Sequence, residues 1–222
     1  MKRNMIVLLT FFVSIVMVST PAYAGDIAGR LGIGLSLGAA MPTNDPINDY
    51  DTGTNSGSID IASEASIGEV FGIEGIYGIS DNMSITFDMT RRKTGITDEK
   101  TGYELGDVTT YTLVLALQPR IPVSDYLVPY FDFGMGININ AVSDNDIRMD
   151  NTIAFKIGAG MDYFINEDFA LNIKVNWIPN NTGWKYSRAE TIRVDDLGKV
   201  TNEWNTDLDS LQVLFGVRYF FE

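Results

Sequence analysis

Neither cysteine nor histidine occurs anywhere in the 222 residues. Without cysteine there is no disulfide, no thiolate nucleophile and no thiolate metal site. Without histidine there is no imidazole general base, no imidazole metal ligand and no Ser-His or Cys-His device. Positive charge is also scarce. Sixteen Lys+Arg stand against 29 Asp+Glu, for a formal net charge of −13. Nucleic-acid binding needs clustered cations, so that class is excluded as well. Only one long apolar run exists, Met5 to Val18, and it falls short of the roughly 20 residues of a membrane-spanning helix. What remains is an acidic, apolar-rich chain with 21 glycines.

That one apolar run reads as an address. Lys2 and Arg3 precede it, and Pro21-Ala22-Tyr23-Ala24 follows. A positive start, an apolar stretch and a small-x-small site make a secretory signal peptide over residues 1–24, cleaved before Gly25. The mature part, residues 25–222, is expected to be a single domain.

The mature chain alternates with a period of two in eight segments, the mark of strands with two unlike faces. They run from about Arg30 to Met41, Ser66 to Ile79, Met83 to Arg92, Thr109 to Gln118, Tyr126 to Asn140, Thr152 to Phe164, Phe169 to Trp177 and Ser210 to Phe221. In the first, Leu31, Ile33, Leu35 and Leu37 oppose Gly32, Gly34 and Ser36. In the fifth, Phe131, Phe133, Met135 and Ile137 oppose Asp132, Gly134, Gly136 and Asn138.

Two features choose between a soluble β-sandwich and a membrane barrel. The connections alternate in length: those after the second, fourth and sixth segments are short. Those spanning 42–65, 93–108, 141–151 and 178–209 are longer and rich in Asp, Asn, Gly, Ser and Thr. Short turns at one end and long loops at the other are the pattern of an outer-membrane barrel. The apolar face is also nearly free of charge along its middle, while Glu74, Asp88, Asp132, Lys156 and Lys174 sit mid-strand on the other face. A Lys or Arg facing lipid at mid-bilayer would cost about 2–4 kcal/mol. Tyr77, Tyr126, Tyr163, Phe169 and Tyr219 cluster at segment ends, where an interfacial aromatic belt lies. The expected fold is all-β: an eight-stranded antiparallel transmembrane β-barrel with short periplasmic turns and long extracellular loops, closed because lipid tolerates no free edge.

Specific stretches carry a resemblance. Pro129-Tyr130-Phe131-Asp132-Phe133-Gly134-Met135-Gly136-Ile137-Asn138 resembles the Pro-Tyr-x-x-x-Gly-x-Gly-x-Asn strand of the OmpW family of small outer-membrane barrels. Lys156 to Asn166, running on into Leu171 to Trp177, is similar to that family's next hairpin. Tyr77 to Asn82 resembles a turn shared by OmpW-like and OmpA-like barrels. The closing Val217, Tyr219 and Phe221 resemble the signal read by the barrel-assembly machinery, although here Glu222 follows the last aromatic. The OmpW resemblance implies passage of small hydrophobic solutes through the barrel and sideways into the membrane. The OmpA-like alternative implies a plugged barrel with a structural or adhesive role.

Eight strands leave an interior that side chains nearly fill. Alternation points Arg30, Lys156, Lys174 and Arg218 inward, against Glu74, Asp88, Asp132 and Asp162. Asp132 with Lys156, and Asp162 with Lys174, lie on adjacent strands. A balanced set of this kind reads as a plug; the competing reading is a gate or ion-selective constriction. The inner glycines Gly32, Gly34, Gly134, Gly136, Gly158 and Gly160 read as aids to sharp curvature. Asp49-x-Asp51-x-Gly53 is a fragment of a calcium loop without its downstream Glu, so no metal site is expected. Trp184, Tyr186 and Trp204, with Lys185, Arg188 and Arg193, mark the last loop as a rim or lipopolysaccharide contact. Asp88 and Asp132 are simpler as ion-pair partners than as a catalytic pair, so neither an enzyme nor a cofactor is expected. The expected partners are outer-membrane lipid and lipopolysaccharide, the assembly machinery and small hydrophobic solutes.

Overall fold

The computed structural model describes residues 27–43, 63–98, 104–143, 147–186 and 203–221. The expected signal peptide lies outside them, as do Asp49, Asp51, Gly53, Arg188 and Arg193. Every regular element among the described residues is a strand. These are β1 (Leu31–Pro42), β2 (Ser63–Ala65), β3 (Gly68–Ser80), β4 (Met83–Asp98), β5 (Glu104–Pro119), β6 (Leu127–Val142), β7 (Ile147–Met149), β8 (Thr152–Phe164), β9 (Phe169–Ile178), β10 (Asn181–Tyr186), β11 (Glu203–Asp207) and β12 (Ser210–Phe220).

Eight of them close on themselves in the order β1-β3-β4-β5-β6-β8-β9-β12, with β12 paired back on β1 and every neighbour antiparallel. The register gives the stagger. Paired residues lead from Phe131 on β6 through Ala159, Val175, Val213, Ala39, Glu69, Lys93 and Thr109, and return to β6 at Ala141. A closed sheet needs such a fixed offset, and with eight strands it leaves an interior just wide enough for side chains to fill.

The two faces are inverted relative to a soluble protein. Leu35, Phe87, Phe133, Phe155 and Phe215 point outward and are about half exposed, whereas Glu74, Asp88, Lys156, Lys174 and Arg218 are buried inside. Continuous apolar surface around a charged interior is stable only with hydrocarbon as the surrounding solvent. The outward row includes every apolar residue that alternation placed there.

Two strand boundaries differ from expectation, each for a physical reason. β4 and β5 extend about a turn of the ladder beyond Arg92 and Thr109, to Asp98 and Glu104. The outward residues there include Lys93 and Asp107, which pair at 2.7 Å in the open. Beyond the apolar zone the outward face becomes polar, and the alternating signal disappears although the hydrogen bonds continue. At the other end β1 begins at Leu31 because Ile27 to Arg30 form a tight turn. Gly29 has φ of 77° and the Arg30 N–H donates to the Ile27 carbonyl at 2.9 Å, the geometry that glycine serves at the third position of a type II turn.

At the loop end, β10 continues β9, β11 leads into β12, and β7 leads into β8. These three form a small sheet in the order β11-β10-β7, which prolongs that side of the wall. Opposite, β2 extends the wall by pairing with β4. Among the described residues β2 has no partner other than β4, and β11 has none other than β10. Among the described residues the pairing stops at β2 on one side and at β11 on the other.

Candidate functional site: the barrel interior and its mouth

At the turn end lies an apolar floor. Ile27, Ile76, Val128, Phe164, Ala170 and Phe220 form one buried cluster across the lumen. The N-terminal turn tucks Ile27 inside, and the Phe164 and Phe220 rings stack with centroids 5.7 Å apart. Arg120, buried at the end of β5, holds its guanidinium about 6 Å from both ring centroids.

Directly above the floor is an ionic layer. Arg218 on β12 donates to Glu74 through Nε at 2.8 Å and Nη2 at 3.0 Å, and to Asp162 through Nη1 at 2.8 Å. Arg120 reaches the same Asp162 at 3.1 Å. Lys174 donates to Glu74 at 3.0 Å and to Asp88 at 3.4 Å. Lys156 donates to Asp88 at 2.7 Å and lies 3.3 Å from Asp132. Neutral groups complete the shell. Gln118 donates to Asp132 at 3.0 Å, and Asn172 donates to both Asp162 and the Tyr130 hydroxyl at 2.7 Å. The Arg218 guanidinium sits 4.6 Å from the centre of the Tyr130 ring. Four acids meet four cations in a medium where an unpaired charge would be prohibitive.

Seven of the eight residues that alternation pointed inward meet here. Arg30 does not. It lies one step below the floor, where its guanidinium pairs with Asp168 and donates to the carbonyls of Glu167, Phe220 and Phe221 at 2.9, 3.0 and 3.2 Å. The fourth cation is instead Arg120, which the sequence hides behind Pro119 and Pro122 in what reads as a link. One pairing also differs. Asp162 and Lys174 lie on adjacent strands, two residues apart in register, but the Lys174 chain is long enough to cross the lumen to Glu74 and Asp88, and the two arginines occupy Asp162. Tyr130, Gln118 and Asn172 were visible as inward positions, but nothing in their spacing marks them as ligands of the charged groups.

Two of the inner glycines, Gly34 and Gly160, serve this layer. A Cβ at Gly34 would collide with the Glu74 carboxylate, and one at Gly160 with the Tyr130 ring. These two make room for plug side chains, a more specific role than the curvature expected of them.

Toward the loop end the interior is lined mostly by Thr and Asn. On the β5-β6-β8-β9 side, Thr110 donates to Asn140 at 2.9 Å and Thr112 to Asn138 at 2.7 Å. Asn140 and Asn180 exchange amide hydrogen bonds at 3.3 and 2.9 Å, and Thr152 donates to Asn180 at 2.6 Å. Ile96, Val108 and Leu208, with Val142 and Met149 against them, cap this network. Beside this network lies a small cleft lined by Ala40, Pro42, Ala65, Arg92, Thr94, Asp207, Leu208 and Asp209. Burial pushes the Asp209 carboxyl above the usual aspartate value, against the pull of the Asn180 N–H that donates to it.

Among the described residues no group of His, Cys, Asp or Glu is arranged to hold a metal ion. Tyr126 and Tyr163 meet edge to face at one rim, and Tyr219 and Phe221 do so beside the seam. Val217, Tyr219 and Phe221 share the outward face of β12, the latter two well exposed.

The architecture is similar to several solved structures. The outer membrane protein OprG from Pseudomonas aeruginosa superposes with a TM-score of 0.67 at 16% identity, over 90% of this chain and 99% of that one. AlkL, solved in DMPC bilayers, gives 0.65 at 16% identity over 89% and 92%. Neisserial surface protein A gives 0.55 at 17% identity over 87% and 98%. At such identities the likeness speaks for the fold. No curated protein matches by sequence. The sequence itself matches the outer membrane protein beta-barrel domain over residues 10–221. With a closed eight-stranded wall, an apolar outer face and a charged interior, the chain belongs to the outer membrane protein beta-barrel domain family and is a small barrel of the outer membrane.

Proposed function

We propose that this barrel passively admits small hydrophobic solutes from the cell exterior and releases them sideways into the membrane. The observation that carries the reading is the asymmetry of the mouth. The ionic layer and the apolar floor obstruct a straight path to the periplasm. The Asn/Thr network and its apolar cap fill one half of the outer mouth. The cleft lies beside them, and Ala40, Pro42, Ala65 and Leu208 give it an apolar side. Below the cleft stands that obstruction, so a solute there leaves sideways into lipid rather than down to the periplasm. The affinity for an apolar solute comes from area removed from water, about 25 cal/mol per Å²; no catalytic group is needed.

The filled interior also suits a structural or adhesive barrel that transports nothing. The two readings separate in vesicles whose outer leaflet is lipopolysaccharide. With refolded protein, saturable uptake of an apolar tracer with little single-channel current is the expected result, and Ala65→Trp at the cleft should slow it. Neither uptake nor current would leave the structural barrel.

A further inference from the structure

We propose that Arg91, on the outer surface of the barrel, seats a phosphate of the lipopolysaccharide in the outer leaflet, and that the acyl chains of the same molecule lie on the wall beneath it. Arg91 points outward from β4 and is exposed. It interrupts an apolar row. The residues in register with it across the sheet are Phe71 and Tyr111, followed by Leu37 and Ile139, all exposed on the same face. Below it on β4 the exposed outward side chains are Met89 and Phe87.

Its height matches the headgroups. Arg91 stands eight residues above Met83, where β4 leaves the periplasmic turn. At about 3.3 Å per residue and a tilt of roughly 40°, that is about 20 Å along the barrel axis. The apolar band of such a barrel is about 25 Å tall. Arg91 is thus rooted just inside the outer edge of the hydrocarbon, and its long side chain extends toward the interface.

A cation at that depth needs a counter-ion. Among the described residues the Arg91 guanidinium has no hydrogen bond or ion pair. The neighbouring acids lie farther out. Glu69 is in register with Lys93, the next outward residue of β4, and Asp107 pairs with Lys93 at 2.7 Å. Lys93 stands between the two carboxylates, on the strand that separates them, in the hydrated rim where salt screens exposed charge. A phosphomonoester fits Arg91 by charge and by shape, because two N–H groups of a guanidinium can donate in parallel to two phosphate oxygens. Tyr111 stands directly across from Arg91, with Cβ atoms about 5 Å apart, and its hydroxyl is a further donor. Lipopolysaccharide carries phosphates where its acyl chains begin, so a phosphate on Arg91 lays those chains against Met89 and Phe87. Among the described residues of the eight-stranded wall, Arg91 and Lys93 are the outward cations, so one seat is expected.

Native mass spectrometry of the refolded protein in detergent tests this, with bisphosphorylated lipid A, lipid A stripped of both phosphates, and phosphatidylglycerol as the probes. One lipid A per barrel is expected at the lowest concentrations. Arg91→Gln should weaken it about tenfold, the worth of one hydrogen bond to a charged group, and Arg91→Lys should weaken it less. Stripped lipid A should bind the unmutated barrel about tenfold more weakly, a comparison that needs no variant to refold. Equal binding of lipid A to the unmutated barrel and to Arg91→Gln would overturn the seat. So would equal binding with and without phosphate, or no lipid A retained at all. Phosphatidylglycerol held as tightly as lipid A, and lost as readily in Arg91→Gln, would overturn lipopolysaccharide as the occupant.

Discussion

Arg218 and Glu74 join across β1, and Gly34 lies between them. Gly34 is in register with Arg218 on one side and with Glu74 on the other, and the two side chains bond above it at 2.8 and 3.0 Å. The missing side chain on the middle strand is what lets the charges on the outer two meet.

A Cβ at Gly34 has no room, so Gly34→Ala is expected to destabilise the barrel by about 1–3 kcal/mol, the usual cost of overpacking. Gly75, one position along β3 from Glu74, points outward, and a Cβ there meets nothing within 4 Å. Gly75→Ala should be neutral. Urea unfolding in lipid, followed by the heat-modifiable gel shift, compares the two. Equal midpoints would refute the account of Gly34.

Lys174 bridges Glu74 and Asp88, and all three are buried. Lys174→Met leaves two acids short of a partner and should cost about 3–5 kcal/mol, as breaking a buried pair does. Adding Glu74→Gln to Lys174→Met should restore part of that loss, because the layer is again balanced in charge. A double-mutant cycle on unfolding free energies reads the coupling, and strict additivity would mean that the two residues do not interact.

Phe164→Ala removes one of the two stacked rings of the floor. The expected loss is about 3–5 kcal/mol, typical of a large-to-small aromatic change in a core. Because the floor lies below the charged layer, the same variant should raise single-channel leak. Lower stability with no added leak would show that the ionic layer alone blocks the pore.

Arg30 ties the β8–β9 turn to the last strand at the seam between β12 and β1. Arg30→Ala should lower the unfolding midpoint modestly, since the site is partly open to solvent, and should leave conductance unchanged because the plug does not include it. A change in conductance would place Arg30 back among the interior residues.

Much of this protein is legible in one dimension. A strand exposes alternate residues to two environments, so a period of two with apolar and charged sets reports both the strand and its two solvents. Hence the eight strands, the inverted faces and the inward direction of Glu74, Asp88, Asp132, Asp162, Lys156, Lys174 and Arg218 follow from the sequence alone. Alternation gives only direction, however. Which charges touch depends on stagger and side-chain reach, and these exist only once the sheet has closed. The ten-residue offset from Phe131 to Ala141 brings Lys174 level with Glu74 instead of leaving it to Asp162. The turn at Gly29 leaves Arg30 at the rim, and the close of β5 carries Arg120 inside in its place. The small sheet β11-β10-β7 is likewise invisible to periodicity, because neighbours are decided by pairing between strands far apart in the chain.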